Sequence, residues 1–118
     1  MEKVYDLKQL EELSGGMPDM VNTMIDTFLE HSPGQLHELL NAYEKGNWAQ
    51  MGALAHKIKP SIDLFGIHSL YEIVRRIEKN GKTDTPGSEL DDDVKKVESV
   101  LIAAFEQLRA LQSNSKPE

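Results

Sequence analysis

Seven apolar residues in the last third of the chain recur at alternating steps of four and three residues. They are Leu90, Val94, Val97, Leu101, Ala104, Leu108 and Leu111. Such a repeat lies along one side of a single helix, so this segment must bury its apolar stripe against other helices. The stripe also suits a coiled-coil arm that joins a second chain. Because the same chain holds several other amphipathic helices, we prefer packing within the chain.

Helical periodicity also accounts for the first part of the chain, and no alternating strand pattern competes with it. The sequence predicts a short helix over residues 7–13, capped by Asp6. Residues 18–45 form one long helical region. Its apolar positions keep one register if Ser32 takes the missing inward step, so we expect Pro33 to kink this helix and not to divide it.

Three further helices follow in the predicted order. Asn47 caps a helix that ends at Gly66, and the next helix runs from Ser69 to near Gly81. A polar loop rich in helix breakers comes next, and Ser88 caps the last helix. The predicted fold is therefore all-α, an antiparallel four-helix bundle with a short extra N-terminal helix laid across one end.

The length of 118 residues allows one hydrophobic core, and we expect a single domain over residues 1–118. Residues 113–118 are predicted to form a flexible tail. A compact bundle already buries its apolar stripes, so we expect a monomer. An initiating Met1 favours a free-standing protein.

Composition excludes several classes of site and partner. The chain has no cysteine, so it offers neither disulfides nor a thiolate zinc site. It has no apolar signal segment and no apolar run of about 18 residues, and we expect a cytoplasmic protein that does not enter the membrane. Thirteen basic and 20 acidic residues give a net charge of −7, which argues against nucleic acid or anionic lipid as a partner.

His56 lies on the side of its helix that faces away from the core. The inward positions of this helix are Met51, Leu54, Ile58, Ile62 and Phe65. At 100° per residue, His56 falls about 160° from the line that they define. Its neighbours on the exposed side are Gly52 at i−4 and Lys59 at i+3. An exposed imidazole in this position suits a nucleophile that meets a large partner and not one enclosed with a small substrate.

The segment that holds His56 is locally basic. Residues 45–62 contain three lysines and no carboxylate. A phosphoryl group or an acidic partner pocket would favour such a surface. Short charge asymmetries of this size also arise by chance, so the composition of the segment leaves both interpretations open.

The spacing of His56, Lys59, Ser61 and Gly66, at +3, +5 and +10 from the histidine, resembles the signature of histidine-containing phosphotransfer (HPt) domains. Residues 43–48 and the Phe-Leu-Glu at 28–30 are also similar to the family. The resemblance covers roughly residues 13–78, and the rest of the chain fits the last helix of the family.

The resemblance implies that His56 accepts a phosphoryl group from an aspartyl phosphate of a receiver domain and passes it to a second receiver. Because phosphoryl transfer depends mainly on positioning and on spreading charge, Lys59 is expected to neutralise phosphoryl oxygens, and Lys57 to add a weaker field. The implied partners are receiver domains of response regulators or hybrid histidine kinases. The resemblance also implies that the receiver supplies Mg²⁺ and that this chain holds no cofactor.

Five residues around the histidine are expected to contribute to partner docking. They are Gly52, Pro60, Ser61, Asp63 and Gly66. Gly52 removes bulk where a partner approaches, and Gly66 is also expected to stop the helix. Pro60 replaces the family's usual glycine and leaves the carbonyl of His56 without its helical partner, so a kink is expected there. Asp63 is expected near the face of His56, where its charge would oppose a phosphoryl group.

Other functions were weighed against this one. The chain has no glycine-rich nucleotide loop and is too short for the ATP-binding domain of a kinase, so we expect a stoichiometric phosphotransfer intermediate and not an enzyme. The spacing of His31, His37 and His68 does not predict a metal site. The alternatives are an adaptor that binds receiver domains without carrying phosphate and an unrelated helical interaction module.

Overall fold

The computed structural model describes residues 2–115, and within them it contains helices, turns and loops but no strand. The helices are α1 (Lys8–Leu13), α2 (Pro18–Glu44), α3 (Trp48–Leu64), α4 (Tyr71–Thr83) and α5 (Leu90–Ser115). A 3₁₀ turn over His68–Leu70 leads into α4. None of these helices is both long and apolar enough to cross a membrane.

The four longer helices pack in a ring around one core. Helix α3 contacts α2 and α4, and α5 contacts the same two helices from the other side. The largest fully buried side chains of these helices include Ile25, Leu39, Met51, Ile58, Ile62, Ile77, Leu101 and Leu108. Every helix of the ring therefore contributes its apolar face to the same interior, as the periodicity predicted.

The long second helix confirms the interpretation of its register. Helix α2 runs without interruption through Pro33. Ser32 takes the inward step and is buried with 2% of its surface exposed. The lost backbone hydrogen bond at the proline does not end the helix, because most helical stability in proteins comes from packing of the apolar face.

Helix boundaries agree closely with the predicted ones, and α1, α4 and α5 differ from them by a few residues: α1 begins at Lys8, with Leu7 and not Asp6 as its N-cap. Asn47 caps α3 by accepting a hydrogen bond from the Gln50 amide at 3.2 Å. Helix α4 does not begin at Ser69, which lies in the 3₁₀ turn, and it continues two residues beyond Gly81. Helix α5 begins at Leu90, one residue later than a cap at Ser88 would give. It continues to Ser115, so residues 113–115 of the predicted tail are helical, and residues 116–118 lie outside the described part.

The apolar stripe of α5 is buried except at its end. The first six residues of the stripe, from Leu90 to Leu108, are each at most 3% exposed. The seventh, Leu111, is 37% exposed, contrary to the prediction. An α-helix drifts by about 20° per heptad relative to a strict 3.5-residue repeat, so the inward face moves off the stripe along the helix. Phe105 and Gln112 are buried there instead. The amide of Gln112 donates to the Asp26 carboxylate at 2.7 Å, which joins α5 to α2.

Candidate functional site

His56 lies on the exposed side of α3, where it faces α4. Its side chain is 69% exposed, while the side chain of Glu78 beside it is only 9% exposed. The Nδ1 atom of His56 lies 2.5 Å from the Glu78 Oε2 atom. The imidazole is therefore open to a partner and anchored at one ring nitrogen to a carboxylate of the neighbouring helix.

The same carboxylate binds the lysine that the spacing singled out. Lys59 Nζ donates to the second oxygen of Glu78, Oε1, at 2.7 Å. Lys82, one turn further along α4, places its ammonium 3.9 Å from Oε2, and its side chain is 76% exposed. Glu78 thus lies at the centre of a cluster of two ammonium groups and one imidazole.

The charges around Glu78 keep it ionised. Its hydrogen bond from Lys59 lowers the pKa of this carboxyl below the ordinary value, burial opposes that change, and the bond to His56 adds to it. An ionised carboxylate only accepts hydrogen bonds, so Nδ1 of His56 must be the donor. In the neutral imidazole the lone pair is then on Nε2, the nitrogen that Glu78 does not hold.

A shallow cleft of about 360 Å³ opens beside the imidazole. It is lined by Ala49, Gly52, Ala53, His56, Glu78, Gly81 and Lys82. Four of the lining residues are alanines or glycines, and the other three carry the imidazole, the carboxylate and an ammonium group. This shape admits a group carried by a second protein and does not enclose a small substrate.

Not all residues predicted for the site come together there. Lys57 is exposed on α3, and the exposed Pro60 lies inside that helix, which continues past it to Leu64. Ser61 lines a different cavity, between α2 and α3, together with Phe28 and Leu64 among others. Ser61 therefore lies away from the cleft beside His56.

Two predicted site residues have partners within the fold. The carboxylate of Asp63 accepts a hydrogen bond from Arg75 at 2.7 Å, and its backbone carbonyl accepts one from the Tyr71 hydroxyl at 2.9 Å. A guanidinium from α4 thus pairs with the charge of Asp63, and the expected opposition of Asp63 to a phosphoryl group stays a prediction. Gly66 is buried beneath Asp6, and its contact with a partner stays a prediction. It ends α3 with φ +59°, as expected of a helix stop.

Gly52 also has a role that the sequence analysis did not assign to it. A Cβ atom built on Gly52 would lie 2.5 Å from the Cα of Gly81, closer than real Cβ atoms come. Gly52 is buried and not on the exposed side of α3 as the periodicity predicted, because its missing side chain makes room for α4. The prediction assigned that room to a partner. A contact between Gly52 and a partner remains a prediction, since the residue also lines the cleft.

The sequence analysis missed Glu78 and Lys82, and with Glu78 it missed the counter-charge of the basic segment. One signal was available. Glu78 directly follows inward-facing Ile77 and lies at i+4 from inward-facing Val74, so it falls on the buried face of its helix. A carboxylate on that face needs a cation, and the segment of α3 without carboxylates offers lysines. Among the described residues, no group of three or more histidine and carboxylate side chains is arranged to hold a metal ion.

Comparison with known proteins identifies the family and the fold of this chain. The family model of the Hpt domain matches residues 23–111, which include His56, Lys59 and Glu78. The crystal structure of histidine-containing phosphotransfer protein B (HptB) from Pseudomonas aeruginosa PAO1 has the same fold, with a TM-score of 0.81 and 17% sequence identity over 98% of this chain and 100% of that one. A search of curated proteins returned no match. Because the family model covers most of the chain, the protein belongs to the Hpt domain family, the histidine phosphotransfer modules of two-component phosphorelays, which are not kinases.

Proposed function

We propose that this protein is a phosphorelay intermediate that accepts a phosphoryl group on Nε2 of His56 from a receiver-domain aspartate and passes it to a second receiver. The observation that carries the proposal is the bond between Nδ1 and Glu78, since it directs the lone pair of the exposed imidazole to Nε2. A lone His-x-x-Lys spacing would support the proposal far less.

The transfer step uses few groups of this chain. The Nε2 lone pair attacks the phosphorus of the aspartyl phosphate, an N–P bond forms, and the P–O bond breaks with its electron pair left on the aspartate. The imidazole becomes cationic and keeps its Nδ1 proton. That proton stays in the hydrogen bond to Glu78, whose Oε2 atom lies 2.5 Å from Nδ1. The ionised carboxylate stabilises this cation. In the second step the aspartate of the second receiver attacks the phosphorus, and the N–P bond breaks with its electron pair left on Nε2.

The two lysines are suited to the charge of the phosphoryl group. An ammonium has three hydrogens, so Lys59 can keep its bond to Glu78 and still donate to a phosphoryl oxygen. Lys82 is more exposed and only loosely paired, and it can turn toward the same oxygens. With one carboxylate against two ammonium groups, the cluster keeps a net positive charge when the histidine is neutral.

The remaining parts of the proposal follow the sequence analysis. We take the ring of four longer helices as an antiparallel bundle, with α1 across one end. We propose a monomeric, cytoplasmic protein whose partners are receiver domains of response regulators or hybrid histidine kinases. The Mg²⁺ that assists transfer is expected in the receiver.

The test is to incubate the protein with a receiver domain carrying radiolabelled phosphate and to follow the label. We expect an acid-labile, alkali-stable phosphate on wild type and none on His56→Gln. His68→Gln is the matched control, because His68 has a similarly exposed side chain, 65%, outside the site. Label on His56→Gln would refute the assignment. Binding of the receiver without any transfer of label would favour the adaptor.

A further inference from the structure

Helices α3 and α4 touch backbone to backbone at one point. A Cβ atom built on Gly81 would lie 2.4 Å from the Cα of Gly52 and 2.9 Å from the carbonyl oxygen of Trp48. The converse substitution at Gly52 would place a Cβ 2.5 Å from the Cα of Gly81 and 3.1 Å from the carbonyl oxygen of Glu78. The obstructing atoms are main-chain atoms, so no side-chain rotation would relieve these contacts.

This point of contact lies next to the imidazole and its carboxylate. Gly52 precedes His56 by four residues on α3, and Gly81 follows Glu78 by three residues on α4. Each glycine is thus about one helical turn from the group that reacts or holds the reacting group. A change in the spacing of the two helices at the glycines would therefore also change the distance between Nδ1 of His56 and the carboxylate of Glu78.

The hydrogen bond leaves little room for a change in that spacing. At 2.5 Å it is short, and an N–H···O bond weakens beyond about 3.2 Å. A methyl group between the two backbones would require the helices to move apart by a distance similar to the difference between these two values. Gly34, by contrast, lies inside α2 with nothing within 4 Å of a Cβ built on it, so not every helical glycine of this chain is under such a constraint.

We infer that Gly52 and Gly81 are positioning residues for phosphotransfer: they hold α4 close enough to α3 for Glu78 to keep the Nδ1 proton of His56 and so to leave Nε2 free. This inference rests on the proposed function for its effect on transfer. Its effect on the imidazole is independent of any partner and can be observed on the isolated protein.

The experiment compares Gly81→Ala, Gly52→Ala and the control Gly34→Ala. The first readout is the ¹⁵N chemical shifts of the His56 ring, which report which nitrogen carries the proton. We expect both site variants to move the proton from Nδ1 toward Nε2, and Gly34→Ala to match wild type. The second readout is the rate of phosphoryl transfer from a labelled receiver. Since a misplacement of about 1 Å can cost about 100-fold, we expect a loss of at least about tenfold in the site variants.

A double-mutant cycle tests whether the glycines act through Glu78. If they do, Gly81→Ala will slow transfer in wild type but will have little further effect when Glu78→Ala, which removes the acceptor of the Nδ1 proton, is already present. An equal loss in both backgrounds would mean that Gly81 acts through docking or stability, and would overturn the inference. Folded variants with wild-type shifts and rates would also overturn it.

Two further outcomes are decisive. If circular dichroism shows that both site variants are unfolded even in the cold, the contact is a requirement of the fold and not a positioning device, and the inference is wrong. If wild type accepts no phosphate, the proposed function fails, but the ring shifts still decide whether the glycines position Glu78 against His56.

Discussion

The buried carboxylate of Glu78 has three partners, which are two ammonium groups and one imidazole nitrogen. A carboxylate with its side chain only 9% exposed is costly unless cations compensate it, and here Lys59 is the main compensation. In return, Glu78 holds the side chain of Lys59 in a fixed place beside His56. A single residue of α4 thus holds both Nδ1 of His56 and the ammonium group of Lys59.

Lys59 and Lys57 should differ sharply in their effect on transfer. We expect Lys59→Ala to slow transfer by roughly 100-fold, because it removes a donor from the place where phosphoryl charge develops. Lys57→Ala, which changes an exposed lysine on the same helix, should cost little. Rapid-quench measurement of labelled protein gives the rates, and a receiver titration gives the affinities. Equal rates for the two variants would remove Lys59 from the mechanism.

The stability of the protein should depend on pH through Glu78. Its folded-state pKa is lowered below the ordinary value of 4.5, so the ionised group contributes stability that is fully present above that pH. This contribution is lost as the pH falls through the lowered pKa. We expect the gap in unfolding free energy between wild type and Glu78→Gln to stay constant above pH 4.5 and to narrow as the pH falls below it, as measured by urea denaturation. A gap independent of pH would contradict the pairing.

At the scale of elements, two helices of the ring contain a proline and continue past it. Pro33 lies inside α2 and Pro60 inside α3. In both helices the buried apolar face runs on across the proline, from Phe28 to Leu36 in α2 and from Ile58 to Ile62 in α3. Packing of these faces compensates for the hydrogen bond that each proline removes.

Pro60→Ala should stabilise the protein without changing its rate of transfer. The alanine restores a donor to the carbonyl of His56 and removes the steric strain of proline, a gain of up to about 3 kcal/mol, less up to about 1 kcal/mol for the freer unfolded chain. Pro33→Ala is the matched control, a proline inside the other helix. Urea denaturation and the transfer assay measure the two effects. A marked loss of rate in Pro60→Ala alone, with unchanged helix content, would mean that the proline orients His56.

At the scale of the whole molecule, the N-terminal segment ties α5 to the end of α3. The Gln107 side chain donates to the Glu2 carbonyl at 2.8 Å and accepts from the Val4 amide at 3.0 Å. Further along, the Asp6 amide donates to the Phe65 carbonyl at 2.9 Å. The segment therefore bridges elements that are distant in sequence and covers Gly66.

Gly66→Ala should destabilise the protein more than Gly15→Ala does. Both glycines have a positive φ, +59° and +66°, so both variants incur the cost of left-handed backbone. Only at Gly66 would the new Cβ meet another segment, 2.5 Å from the Asp6 carbonyl oxygen, while at Gly15 it would meet nothing within 4 Å. We expect an additional loss of about 1–3 kcal/mol at Gly66, measured by urea denaturation. Equal losses of unfolding free energy in the two variants would show that the N-terminal segment moves away from the new methyl group without cost.

Periodicity along the chain determined most of the helices and the exposure of His56. These features follow from the residues of one helix and their spacing, because a helix repeats every 3.6 residues whatever surrounds it. The same local rules identified the inward step at Ser32, the cap at Asn47 and the stop at Gly66. They failed at Leu111, where the slow drift of a straight helix moves the buried face onto Gln112.

Tertiary structure alone decided the partners of His56. Glu78 pairs with His56 and Lys59, and Arg75 pairs with Asp63. The paired residues belong to α3 and α4 and are 12 to 22 positions apart in the sequence. Such pairs depend on the rotation and the spacing of α4 against α3, and the contact between Gly52 and Gly81 sets that spacing. Neither quantity is a property of a single helix, because both depend on how the helices pack against one another.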